Sequence, residues 1–251
     1  MKLLQKLLWA SIPLATLAAC GGGDTEDRLD VADPKVRFVH AAATAPAVTL
    51  FRATVAQADA TNVSYRFASN YFDVSTSAAD WIVKTAAGGV SVGSVPIDPA
   101  RGNRYTVVAL DTAPATTGVF LIADPYNKPL GSDSTRLRLM NGAYNASSLD
   151  VYINAPGTDI AAAGVNPLIA ATAINRAGPA SGSDSVDVPG GTYQLTLTAA
   201  GTKTALFRGQ LSFANNQDLL VLALPATAAP GSVKALVKLE GTPGTTELTP
   251  L

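Results

Sequence analysis

The chain has 251 residues, a formal net charge of −1, 15% charged residues and one cysteine. No excess of basic side chains is available to neutralise phosphates, which argues against nucleic acid as the main partner. A lone cysteine allows no internal disulfide, so stability must come from apolar cores. Glutamate occurs only at Glu26, Glu240 and Glu247. A chain this poor in Glu and Lys, rich in β-branched residues and punctuated by 21 Gly and 16 Pro, reads as all-β.

Lys2 and Lys6 precede an apolar run over residues 7–19, with small residues just before Cys20. That order is a charged n-region, an apolar h-region and a cleavage site, the layout of a secretory signal peptide. The run is 13 residues long, too short for a bilayer span, which needs about 20. Leu17-Ala18-Ala19-Cys20 resembles the lipobox of bacterial lipoproteins. The resemblance implies removal of residues 1–19, thioether lipidation of Cys20 and acylation of the new amino terminus. Acyl chains contribute about 0.8 kcal/mol per buried methylene, so two or three make a firm membrane anchor. Gly21, where an inner-membrane lipoprotein of enterobacteria carries aspartate, resembles an outer-membrane address. The expected location is therefore the bacterial cell envelope. The mature chain would have 232 residues with 16 basic and 19 acidic side chains. Residues 20–34 read as a flexible linker that lifts the first domain by about 20 Å.

The remainder reads as a tandem repeat. Val36-Arg37-Phe38-Val39-His40 aligns with Leu137-Arg138-Leu139-Met140-Asn141 at an offset of 101. Tyr105-Thr106-Val107-Val108-Ala109-Leu110 aligns with Leu219-Leu220-Val221-Leu222-Ala223-Leu224 at an offset of 114. The difference requires a net insertion of 13 residues, placed at 155–160 and the alanines after it. A period near 100 residues is a domain duplication rather than a solenoid. The units are 35–131 and 132–241, followed by a Pro/Gly/Thr tail at 242–251. Period-2 sets mark strands at Trp81, Val83 and Thr85 and at Tyr193, Leu195 and Leu197. Gly88 and Gly201 signal the turns that follow. The pattern allows a helix only at 160–163 or 168–174. About seven short strands per unit fit an immunoglobulin-like β-sandwich, so the expected fold is two such sandwiches in tandem. The two-residue period points Leu149, Val151 and Ile153 inward and Asp150 and Tyr152 to the opposite face. Asp150→Ala is then expected to cost little.

Arg138-Leu139-Met140-Asn141-Gly142-Ala143, Leu149-Asp150-Val151-Tyr152-Ile153 and Ala155-Pro156-Gly157-Thr158-Asp159-Ile160 resemble the bacterial domain-of-unknown-function family numbered 4397. Val188-Pro189-Gly190-Gly191-Thr192-Tyr193 and Ala199-Ala200-Gly201-Thr202 are similar to it as well. The resemblance covers most of residues 35–241 as two copies. The first copy departs from the pattern: Thr49 replaces the aspartate seen at Asp150, and Ser75-Thr76-Ser77 replaces the Pro-Gly-Gly turn. What the resemblance implies is an exported β-sandwich of the kind found on lipoproteins, and no catalytic residues.

Candidate chemistry is sparse. His40 is the single histidine and aligns with Asn141, so it reads as a strand-end residue bonded to backbone rather than as part of a Ser-His-Asp site. Zinc needs three or four ligands, and one His leaves that unmet. The carboxylate pairs to weigh are Asp73 with Asp80, Asp111 with Asp124, and Asp184 with Asp187. They lie near Gly, Ser, Pro or Thr, where aspartate favours turns. A calcium loop at Ser183-Asp184-Ser185-Val186-Asp187 fits no EF-hand spacing. Tyr65, Phe67, Tyr71 and Phe72 form the densest aromatic cluster; exposed, they would stack on a sugar or anchor a partner, but Tyr65 and Phe67 alternate like a strand with one face inward and Phe72 aligns with an apolar position of the repeat, so they read as core.

No catalytic residue, metal site or cofactor is therefore expected. The expected function is a lipid-anchored, non-enzymatic binding, assembly or structural module, with an envelope protein or glycan as partner. The competing reading is an envelope hydrolase acting on glycan or peptide through Asp and Ser groups. It would require a concave site where titratable groups with shifted pKa values converge.

Overall fold

A computed structural model describes residues 32–126 and 132–251. The signal segment and Cys20 lie outside the described residues. Side-chain alternation builds the first half as two four-stranded sheets. One has the order β4-β1-β7-β8, formed by β1 (Lys35–Ala41), β4 (Phe72–Asp73), β7 (Asn103–Ala113) and β8 (Thr116–Pro125). The other has the order β3-β2-β5-β6, formed by β2 (Val48–Arg52), β3 (Val55–Ala56), β5 (Ala79–Thr85) and β6 (Ser91–Ile97). Val36 and Phe38 of β1, Leu50 of β2, Trp81 and Val83 of β5, and Val107 of β7 meet between them as one core.

The second half repeats this strand order. Its inner sheet runs β12-β9-β16-β17-β18, with β13 also paired to β9. These are β9 (Ser134–Asn141), β12 (Arg176–Gly178), β13 (Val186–Pro189), β16 (Asp218–Pro225), β17 (Val233–Leu239) and β18 (Thr246–Glu247). Its outer sheet is β11-β10-β14-β15, from β10 (Ser148–Asn154), β11 (Ile169–Ala173), β14 (Gly191–Ala199) and β15 (Ala205–Phe213). In each half the first strand pairs in parallel with a later one, β1 with β7 and β9 with β16. Lys35 faces Arg104 in the first pair and Arg136 faces Asp218 in the second. The fold is all-β, with its sheets packed as sandwiches.

The two sandwiches are themselves packed together. Val39 and Ala41 of β1, Val108 and Leu110 of β7, and Ile122 of β8 form one buried cluster with Met140 of β9, Leu220, Leu222 and Leu224 of β16, and Leu236 of β17. The β1 and β9 sheets thus bury both faces, which explains the near-continuous apolar runs of β7 and β16. Gly142 sits at the edge of this seam, where a Cβ would come within 2.7 Å of a Leu110 methyl.

Three local expectations change. Residues 160–163 form turns and 168–174 are largely strand β11, because β10 offers an open sheet edge that pairs with it. The segment 242–251 is more than a tail. Thr246 and Glu247 extend the inner sheet, Leu248 packs on the second core, and Thr245 N–H donates to Arg66 O of the first sandwich at 3.0 Å. Leu149, Val151 and Ile153 do face the core, but the opposite face is buried too. Asp150 accepts from Ala171 N–H at 2.7 Å and from Gly201 N–H at 2.8 Å, so it ties strand β11 and the turn after β14 to β10.

Candidate binding cleft at the seam between the sandwiches

The seam changes character along its strands. At the N-terminal ends of β1, β7, β9 and β16 the side chains facing across it are Arg37, Arg104, Thr106, Arg136, Arg138 and Asp218. Asp124 joins them from the C-terminal end of β8, and Lys238 from that of β17. Two residues further along β1, β7 and β9, the same face becomes Val39, Val108 and Met140. Apolar contact holds one end of the interface and a buried charge network the other.

Most of the charges there are paired. Arg104 donates from Nη1 to Asp218 at 2.9 Å and to Glu240 at 2.7 Å. Its guanidinium stacks 3.4 Å above the Tyr126 ring. Burial works against the Arg104 charge, but Tyr126, Glu240 and Asp218 together outweigh it and hold the pKa above the ordinary arginine value. Asp124 accepts from Arg136 at 2.8 Å and from Arg138 at 3.2 Å. Arg138 also donates to the carbonyls of Pro179 and Ala180. Burial nevertheless lowers its pKa, and neighbouring Arg136 lowers it further.

Arg37 differs. It occupies the place in β1 that Arg138 occupies in β9, and it is 5% exposed. Its Nε donates to Thr106 Oγ1 at 2.8 Å, and its guanidinium lies 4.7 Å from the Tyr71 ring centre. Among the described residues it has no carboxylate partner, and its Nη1 is buried without a hydrogen-bond acceptor. Lys238 is 1% exposed and donates from Nζ to the Thr242 carbonyl, with no ion pair among the described residues. Burial first, and Arg37 second, push its pKa down to about 8.

These two cations line a cleft of about 230 Å³ together with Lys35, Arg104, Glu240 and residues 69–71. Local pairing explains how the segment 66–71 reaches it. His40 N–H donates to Phe67 O and Ser69 N–H to Phe38 O, which lays the segment along the free edge of β1. Ser69 Oγ accepts from Phe38 N–H at 2.9 Å, leaving its own proton for another acceptor. A smaller hollow lined by Arg37, Tyr71, Asp124, Arg138 and Ser185 adjoins the cleft.

The residues singled out in the sequence fall elsewhere or take other roles. His40 is fully buried, with Nε2 3.1 Å from Pro46 O, and burial lowers its pKa below 6.5. Asn141 makes the corresponding contact to Ala146 O. Asp111 and Asp124 pair with Thr117 and Arg104 respectively, at opposite ends of the β7–β8 hairpin. Asp111 accepts from Thr44 Oγ1 at 2.6 Å, and Asp73 lies 3.8 Å from Lys35. No group of three or more metal-ligating side chains occurs among the described residues. Within the Ser183–Asp187 stretch, Ser185 instead approaches Arg138 and Asp124. Phe67 and Phe72 pack on the first core and Tyr65 on the seam, whereas Tyr71 stands in the cleft. Arg37 and Lys238 were not singled out. The available signal was a charged residue inside an otherwise apolar strand, Arg37 between Val36 and Phe38 and Lys238 between Val237 and Leu239.

A family model described as a domain of unknown function, DUF4397, matches residues 34–152. The match spans the first sandwich and strands β9 and most of β10, and ends before Ala155. No curated protein matches the chain. Among solved structures, a carbohydrate-binding module of family CBM26 from Eubacterium rectale Amy13K, crystallised with maltoheptaose, is similar at 7% identity and a TM-score of 0.25. That match covers 87% of this chain and 98% of the other.

Proposed function

We propose that the chain is a non-enzymatic binding module of the bacterial envelope, lipid-anchored at Cys20 to the outer membrane, with the seam cleft as its binding site. The observation that carries the binding reading is the composition of that cleft. It is concave and gathers titratable groups with shifted pKa values, as a catalytic site would. Yet the groups are arginines, lysine and tyrosine, which bind and orient. The nearby carboxylates Asp124, Asp218 and Glu240 are all held by arginine. A carboxylate engaged that way is turned to its arginine rather than offered to a substrate as acid or base. Membrane attachment is supported by Leu17-Ala18-Ala19-Cys20. The matching strand orders and registers of the two halves support an origin by duplication, with units at 35–131 and 132–241.

Two measurements test this. Mass spectrometry of the protein recovered from its own envelope should find a diacylglycerol thioether on an N-terminal Cys20. The detergent-purified chain should turn over no glycan, ester or peptide. Turnover abolished by Asp124→Asn would instead establish the hydrolase.

A further inference from the structure

We propose that the seam cleft binds a phosphate group carried on a small molecule, with Arg37 and Lys238 as its two cationic ligands. The inference rests on the reading of the cleft as a binding site and adds the chemistry of its ligand.

The first argument is charge. A buried cation with no counter-charge is costly, and interiors normally pair it or neutralise it. The seam obeys this at Arg104, Arg136 and Arg138, each within 3.2 Å of a carboxylate oxygen. Arg37 and Lys238 are as deeply buried and make no ion pair among the described residues. Arg37 is the more telling, because its positional counterpart Arg138 has Asp124 and three backbone carbonyls. Two buried cations without an ion pair in one cleft match an anion of charge about −2, which phosphate monoesters carry near neutral pH.

The second argument is geometry. A carboxylate is best served by the side-on fork of a guanidinium, two parallel N–H donors. That side-on fork is broken in Arg37, because Nε is spent on Thr106 and only the end-on Nη1 and Nη2 remain. The available donors come from separate walls: Arg37 from β1, Ser69 from the segment beside it, Lys238 from β17. Donors converging from several directions suit a tetrahedral oxyanion better than a planar one. The cleft's 230 Å³ is many times the roughly 15 Å³ that one water needs, so the phosphate can enter attached to a further group.

The experiment is calorimetric titration of the detergent-purified full chain with inorganic phosphate in chloride buffer. Saturable binding of one phosphate per chain is expected, with acetate failing to compete at equal concentration. Arg37→Met and Lys238→Met should each weaken binding by about tenfold or more, the loss of one charge-assisted hydrogen bond. Lys238→Met replaces a buried ammonium by an apolar side chain of similar length, so it keeps the test open if Arg37→Met does not fold. Glucose 1-phosphate and glycerol 1-phosphate distinguish the sources: the tighter binder shows whether the phosphate arrives on a glycan or on a lipid headgroup. Absence of saturable binding, stronger binding of acetate, or unchanged affinity in folded Lys238→Met overturns the phosphate assignment. The wider reading of a non-enzymatic module fails on a different result, the Asp124-dependent turnover described above.

Discussion

Arg104 and Asp218 hold the same strand position in the two halves, and their side chains meet across the seam at 2.9 Å. Each sits near the N-terminal end of the strand that pairs in parallel with the first strand of its half. Equivalent positions have thus become complementary charges. Their side chains are 7% and 10% exposed, and Glu240 shares the arginine. Removing one partner of such a pair leaves an uncompensated buried charge, which costs about 3–5 kcal/mol. Arg104→Met should lower the free energy of unfolding, measured by urea titration, by that amount. The double variant Arg104→Met with Asp218→Leu should recover much of the loss, since it removes both charges. A double variant no more stable than Arg104→Met would show that the pair does not couple the two positions.

The apolar end of the seam sets a second expectation. Val39, Val108, Leu110 and Ile122 are all buried against the other half. Residues 32–126 expressed alone would carry them as a contiguous exposed patch, and such patches drive association. That fragment should aggregate or dimerise in size-exclusion chromatography. Leu110→Lys within the fragment should reduce the association. A monomeric fragment with a native unfolding transition would mean that the seam contributes little.

The all-β fold, the strand sets at Trp81 and Tyr193 and the turns at Gly88 and Gly201 were legible because alternation and glycine act locally. The seam was harder to read. Alternation says which face of β1 holds Phe38 but not that the face of Val39 is buried as well. The clue was present in Leu219-Leu220-Val221-Leu222-Ala223-Leu224, which is apolar on both faces. The cleft depends on residues far apart in sequence, such as Arg37 and Lys238, whose meeting is a consequence of how two sandwiches dock. Asp150 follows the same logic: alternation places it opposite the core but does not reveal that β11 and the turn after β14 cover it.

That correction carries its own prediction. Asp150→Ala leaves the Ala171 and Gly201 N–H groups without their acceptor in a site only 4% exposed. Each buried unsatisfied group costs about 1–3 kcal/mol. The substitution should therefore destabilise by about 2 kcal/mol or more in chemical unfolding, with Asp150→Asn milder because it retains one oxygen acceptor. Val151→Asp, which places a charge in the second core, should prevent folding. A change below about 0.5 kcal/mol for Asp150→Ala would show that the two N–H groups do not depend on Asp150.

Lys238 makes the seam sensitive to alkaline pH. Its ammonium is faced by Arg37 and Lys35 from β1, by Arg104 from β7 and by Glu240 from the turn after β17, with Tyr71 on the opposite wall. Burial and Arg37 together depress its pKa from 10.5 to about 8 in the folded chain. Below that value both folded and unfolded chains hold the proton, and the folded state bears the whole cost of burying it. Between about 8 and 10.5 the folded chain has released the proton while the unfolded chain still binds it, so stability rises with pH. Tyr71 and Tyr126 act in the opposite sense further up. Burial raises both above 10, so the unfolded chain loses their protons first and stability falls again. Arg104, its pKa held above the ordinary arginine value, stays charged throughout. The urea midpoint should accordingly climb from pH 8 toward pH 10 and then decline. Lys238→Met should be more stable than the parent at pH 7 and should lack the climb while keeping the decline. Parallel profiles for parent and variant would show that Lys238 titrates alike in the folded and unfolded chains.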